Sequence, residues 1–96
     1  MKVAWAPLAL DRAAEAYAYI AADSPSAAED WLAGLLEAGE DLSTFPERGR
    51  AVPEIGRNEV REVFYGVYRI VYRVDPNDVV ILTVRHGRRL LDEREV

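Results

Sequence analysis

Val67-Tyr68-Arg69-Ile70-Val71-Tyr72-Arg73-Val74, then Asp75-Pro76-Asn77-Asp78, then Val79-Val80-Ile81-Leu82-Thr83-Val84 running into Arg85-His86-Gly87-Arg88-Arg89, is the stretch that decides the fold. Two runs of β-branched and aromatic residues bracket a Pro/Asn/Asp turn, the pattern of paired antiparallel strands. Strand side chains alternate between faces, so Tyr68, Ile70, Tyr72 and Val74 share one side, where Val80, Leu82 and Val84 are expected to meet them. Arg69, Val71 and Arg73 fall on the other side. Arg85, with Arg88 and Arg89 at the strand exit, is expected to join them there. Guanidinium groups gathered on an uncovered sheet face suit an anionic partner, because each offers a planar fork of donors.

Upstream, Glu59–Tyr65 reads as another strand, with Gly66 as the turn into the hairpin. Residues Phe45 to Asn58 form a loop punctuated by Pro46, Gly49, Pro53 and Gly56. Before the loop come two amphipathic helices. Leu10, Ala13, Ala14, Tyr17 and Ile20 recur at helical spacing after Pro7, and Ala28, Trp31, Leu32, Leu35, Leu36 and Leu42 do so after Pro25. Ser24 with Pro25 reads as N-cap and first helical residue, and Ser26 with Glu29 offers a competing capping box. Pro46 ends the second helix near Thr44. Lys2 to Trp5 looks like a short first strand, and Leu90 to Val96 a short helical turn or a frayed end. The expected architecture is one α+β domain over residues 1–96, in the order β-α-α-β-β-β. A two-helix hairpin packs on one face of a mostly antiparallel four-stranded sheet.

Composition narrows the chemistry. The chain of 96 residues is 50% hydrophobic and 30% charged, enough for one modest core. It has no cysteine and one histidine, so neither a disulfide framework, nor thiol chemistry, nor a metal or other cofactor is expected. No apolar run spans a bilayer and the opening residues are not those of a signal peptide, so a cytoplasmic location is expected. The net charge of −5 hides a division. Lys2 and Arg12 are the only basic groups before residue 48, against nine acidic ones, whereas residues 48–89 hold nine arginines and five acids. The helical half is acidic and the strand half basic, which leaves one face for an anionic partner.

The chain resembles the RelE/ParE superfamily of bacterial toxins over nearly its whole length, and lies closer to the ParE-like branch. The resemblance rests on Tyr19-Ile20-Ala21 closing the first helix, Phe45-Pro46-Glu47-Arg48-Gly49-Arg50 opening the loop, and Val60-Arg61-Glu62 entering the next strand. Tyr68-Arg69-Ile70-Val71-Tyr72 and His86-Gly87-Arg88-Arg89 complete it. It implies the toxin of a type II toxin–antitoxin system, neutralised by a small antitoxin whose C-terminal segment wraps it. Growth arrest would follow from binding a cellular target such as DNA gyrase, as some ParE-like proteins do. The alternatives are a ribosome-dependent mRNA endoribonuclease of RelE type and a non-toxic member that only binds antitoxin.

The ribonuclease branch uses alternating lysines on the second strand, an arginine on the third, an arginine past the fourth and a later tyrosine. Arg69 and Arg89 (or Arg88) match the arginines and are the candidates for catalysis. Val60 and Glu62 stand at the lysine positions, and Glu95 falls near the tyrosine's place. Cleavage through a ribose 2′-OH needs a proton acceptor as well as charge stabilisation. The arginines supply only the second, and His86 or Tyr68 would have to supply the first, so the resemblance leans away from an enzyme. Arg69, Arg73, Arg85, Arg88 and Arg89 are expected to contact target or antitoxin. Against this stands a plainer reading, in which Arg69 and Arg73 pair across the sheet with Glu59 or Glu62. Likewise His86 and Tyr68 read as rim-of-core groups, and the acids of the second helix as a solvated face.

Overall fold

Pro7 opens α1 (Pro7–Asp23) and Pro25 opens α2 (Pro25–Glu40) in the computed structural model, which describes all 96 residues. Proline costs nothing there, since the first N–H groups of a helix have no intrahelical acceptor. The Ser24 hydroxyl accepts the Ala27 amide at 3.3 Å, making Ser24 the N-cap and leaving the Ser26/Glu29 alternative inside the helix. A 3-10 turn at Asp41–Ser43 continues α2 and stops short of Pro46.

Five strands form one sheet: β1 (Lys2–Trp5), β2 (Arg50–Ala51), β3 (Val60–Tyr65), β4 (Tyr68–Val74) and β5 (Asp78–His86). Their order is β1-β5-β4-β3-β2, with β1 parallel to β5 and the remaining pairs antiparallel. The expected four strands become five because Arg50 and Ala51, expected as loop, pair with Glu62 and Arg61. Gly66, at φ 57°, makes the tight turn between β3 and β4.

A bulge corrects the expected faces. Val71 pairs with Thr83 but Tyr72 with Ile81, so Leu82 is an extra residue in β5. The alternation therefore slips by one. Val79 and Ile81 face the helices with Ile70, Tyr72 and Val84, whereas Val80 and Leu82, expected on that side, face the other way. The helix-side core joins these residues to Ala9, Ala13, Leu35 and Leu42.

The other face is not open. Val52 and Ile55 of the long loop and Leu91 of the C-terminal stretch pack on Val60, Val71 and Leu82 as a second, smaller core. The chain thus has three layers, with the helical hairpin, the sheet, and then a cover of loop and tail. A 3-10 turn at Glu93–Glu95, capped by Asp92, ends the cover. Gly49 pins its other end. Its amide donates to the buried Tyr72 hydroxyl at 2.9 Å and its carbonyl accepts from Arg61 at 2.8 Å. A Cβ here would strike the Tyr72 hydroxyl and the Glu62 carbonyl. Gly49→Ala is expected to destabilise the fold by about 1–3 kcal/mol, visible as a lower urea midpoint.

Candidate partner-binding surface

Arg69 lies at the centre of the covered face and is only 4% exposed. Its Nε donates to Glu62 Oε1 at 2.7 Å, and Nη2 lies 2.6 Å from the same oxygen. Nη1 and Nη2 donate to the two Glu54 oxygens at 2.9 and 3.0 Å, and Nη1 also donates to the Arg89 carbonyl at 3.0 Å. A guanidinium has five N–H donors; four make hydrogen bonds here, and Nη2 also sits at ion-pair distance from Glu62. Glu62, 1% exposed, turns its other oxygen to Arg50 Nε at 2.7 Å. Glu54 also accepts the Leu91 amide at 3.1 Å, tying the tail to the loop. Hydrogen bonds from Arg69 hold the Glu54 carboxyl down at about 2, and the same bonds raise the Arg69 pKa further.

The expected open basic face is therefore corrected. Parity does put Arg69, Arg73 and Arg85 on one side of the sheet, and Arg69 and Arg85 are direct cross-strand neighbours. They do not gather around a shared vacancy, because like charges so close need separate counter-charges. Arg69 takes Glu54 and Glu62, Arg73 takes Asp75 at 2.8 Å, and Arg85 lies 3.3 Å from Glu95. Arg88 and Arg89 are exposed and make no ion pair, so they are the free cations of the expected set. The Arg69–Glu62 pairing follows the plainer sequence reading; Arg73 pairs with Asp75 rather than Glu59.

His86 lies exposed at the rim, where its Nδ1 accepts the Arg88 amide at 3.2 Å. Its ring meets the edge of Tyr68, which in turn meets Trp31 with ring centroids 5.2 Å apart. An apolar groove of about 600 Å³ runs between the helices. Trp5, Leu10, Tyr17, Leu32 and Leu36 line it around small alanines, and Glu29 is its only charged residue. Leu10 and Leu36 are half exposed there, so part of the apolar stripe on each helix faces solvent rather than core.

Sequence reading missed Glu54, the residue that completes the Arg69 cluster. Its signal was local: Val52 and Ile55 bracket it, and both bury against the sheet. Arg12, Thr83 and Glu95 also escaped, because the bulge and the tail's path bring them together.

A helical hairpin on one side of a five-stranded mixed sheet is an α+β fold that matches RelE/ParE-type toxin structures. The sequence model described as "ParE toxin of type II toxin-antitoxin system, parDE" matches residues 3–91, and the chain belongs to that family. Among solved structures it is similar to a chain of the chromosomal ParDE toxin–antitoxin system from P. aeruginosa, at 19% identity and a TM-score of 0.73. That match covers 90% of this chain and 95% of the other. It is similar also to a chain of the RelBE2 toxin–antitoxin complex from Mycobacterium tuberculosis. There identity is 27% and the TM-score 0.63, with 88% of this chain and 95% of that one covered. No curated protein sequence gives a significant match.

Proposed function

We propose that this chain is the toxin of a type II pair, that a cognate antitoxin neutralises it, and that the free toxin arrests growth by binding a protein target. DNA gyrase is the first candidate. Family membership supports the toxin role, and both solved relatives come from toxin–antitoxin systems. One observation carries the choice of binding over cleavage. Arg69, the residue at the ribonuclease branch's third-strand arginine, spends four hydrogen bonds on Glu54, Glu62 and the Arg89 carbonyl, and its remaining Nη2 approach is to Glu62 as well. A guanidinium so engaged has nothing to offer a phosphorane oxygen. Arg89 is free but lacks that companion.

The antitoxin lays apolar side chains in the groove between α1 and α2 and sets acidic side chains against Arg88 and Arg89. Arg73 and Arg85 enter the contact only where Asp75 and Glu95 give way. Arg69 serves the fold. No helix is long and apolar enough to cross a membrane, and action in the cytoplasm goes with this reading.

Induced expression without antitoxin tests it. Growth arrest with a DNA-damage response, and inhibition of gyrase supercoiling by purified protein, are the expected results. Ordered cuts in ribosome-bound message would replace the reading with the ribonuclease one. Unimpeded growth would leave a chain that only binds its antitoxin.

A further inference from the structure

The bulge in β5 turns Thr83 to the same face as Leu82, and its buried hydroxyl donates to Glu95 Oε1 at 3.3 Å. The same oxygen lies 3.3 Å from Arg85 Nε and 3.6 Å from Arg12 Nε of α1. Both Nε atoms are buried and neither makes a hydrogen bond. Three donors, two from β5 and one from α1, thus converge on one carboxylate oxygen, yet the carboxylate sits off the axes of the two arginine Nε–H groups. The contrast with Arg69, whose Nε reaches Glu62 at 2.7 Å, is chemical. Charge-assisted bonds close to that distance wherever the backbone lets them. Glu95 is held back by its own turn, where its Oε2 stays 3.5 Å from the Asp92 amide.

We propose that Arg12, Arg85 and Thr83 form a carboxylate-binding site, that Glu95 fills it in the free chain as a tethered stand-in, and that an acidic side chain of a protein partner takes its place. The proposal rests on the reading of the chain as a toxin held by a protein partner. The site is reachable, because recesses open on both sides of the arginine pair. One is bordered by Asp92 and Arg94, the other by Tyr68, His86 and Arg89.

Charge selects the occupant. Glu15, 3.2 Å from Arg12, already answers that cation, so departure of Glu95 leaves Arg85 alone unbalanced. One carboxylate restores balance. A nucleic-acid strand would press successive phosphates against Glu15 and Asp92. The exchange also lifts the terminal turn, and with it the half-buried Val96, from the smaller core.

The test uses the full chain and a blocked fluorescent peptide of its own residues 90–96, supplied in trans. Glu95→Ala is expected to bind this peptide about tenfold tighter than the wild type does, and about tenfold tighter than it binds the peptide with glutamine in place of that glutamate. Adding Arg12→Met and Arg85→Met should abolish the difference, with far-ultraviolet dichroism reporting that the variants stay folded. Relative to the wild type, hydrogen exchange at residues 93–96 should accelerate in Glu95→Ala while that of Val79–Val84 stays as it was. No binding to the alanine variant, equal binding of the two peptides, or unchanged exchange in the tail would overturn the proposal. Displacement of the peptide by oligo-dT at lower concentration than by unlabelled peptide would overturn the choice of a carboxylate. Growth plays no part in these readouts, so their failure leaves the toxin reading standing, and failure of that reading leaves them unchanged.

Discussion

Arg69→Ala is expected to destabilise the domain by about 3–5 kcal/mol, because it strands two carboxylates in the covered face. Glu62 has a fully buried side chain and would keep only Arg50 as counter-charge, while Glu54 would keep only the Leu91 amide. A domain of this size has about 5–15 kcal/mol in all, so much of the chain would unfold near physiological temperature. Urea denaturation measures the loss. Removing the cluster whole should cost far less: Arg69→Met combined with Glu54→Gln and Glu62→Gln leaves polar groups but no buried unpaired charge, since Arg50, which loses Glu62, lies mostly in solvent. Recovery in the triple variant separates a lost ion network from lost packing. An Arg69→Ala midpoint equal to that of the wild type would dismiss the network as a source of stability. The consequence for function is direct. Loss of toxicity in Arg69→Ala does not identify a catalytic arginine unless the folded level of the variant is measured alongside.

Most of the architecture was legible because it rests on local chemistry. Pro7, Ser24 and Pro25 set helix starts, the Asp75-Pro76-Asn77-Asp78 turn set the hairpin, and Gly66 set the turn before it. Alternation in β4 was also read correctly, since no residue interrupts it. Two features were out of reach. The bulge at Leu82 depends on how β5 meets β4, and nothing in Val79-Val80-Ile81-Leu82-Thr83-Val84 marks which residue is extra. The cover over the second face depends on contacts between Val52, Ile55 and Leu91, residues far apart in the chain. Both errors pointed the same way. An even alternation and a free tail together made an exposed arginine face, where a bulged strand and a docked tail make a face of neutralised arginines. The charge division along the chain was real, but it said nothing of pairing: Glu54, Glu62 and Glu95 are the minority acids of the basic half and its tail.

Acid is expected to release the same cover in a defined window. The Glu54 carboxyl sits at about 2 in the folded chain against an ordinary 4.5, mainly through its hydrogen bonds from Arg69. A depressed carboxylate adds stability that is fully present above its unfolded value and disappears as pH falls through its folded one. The contribution should therefore be intact above about pH 5 and fade between about 4.5 and 2, amounting, once solvent screening is allowed for, to about 1–2 kcal/mol at neutrality. Denaturation midpoints of the wild type and Glu54→Gln, compared at steps of pH, isolate it. The gap between the two should be wide at pH 7 and close as pH approaches 2. Because Glu54 also accepts the Leu91 amide, exchange at Leu91 should speed up across the same window, ahead of the strands beneath it. A gap that stays constant with pH would mean that Glu54 stabilises through its packing and hydrogen-bond geometry, with its charge contributing nothing.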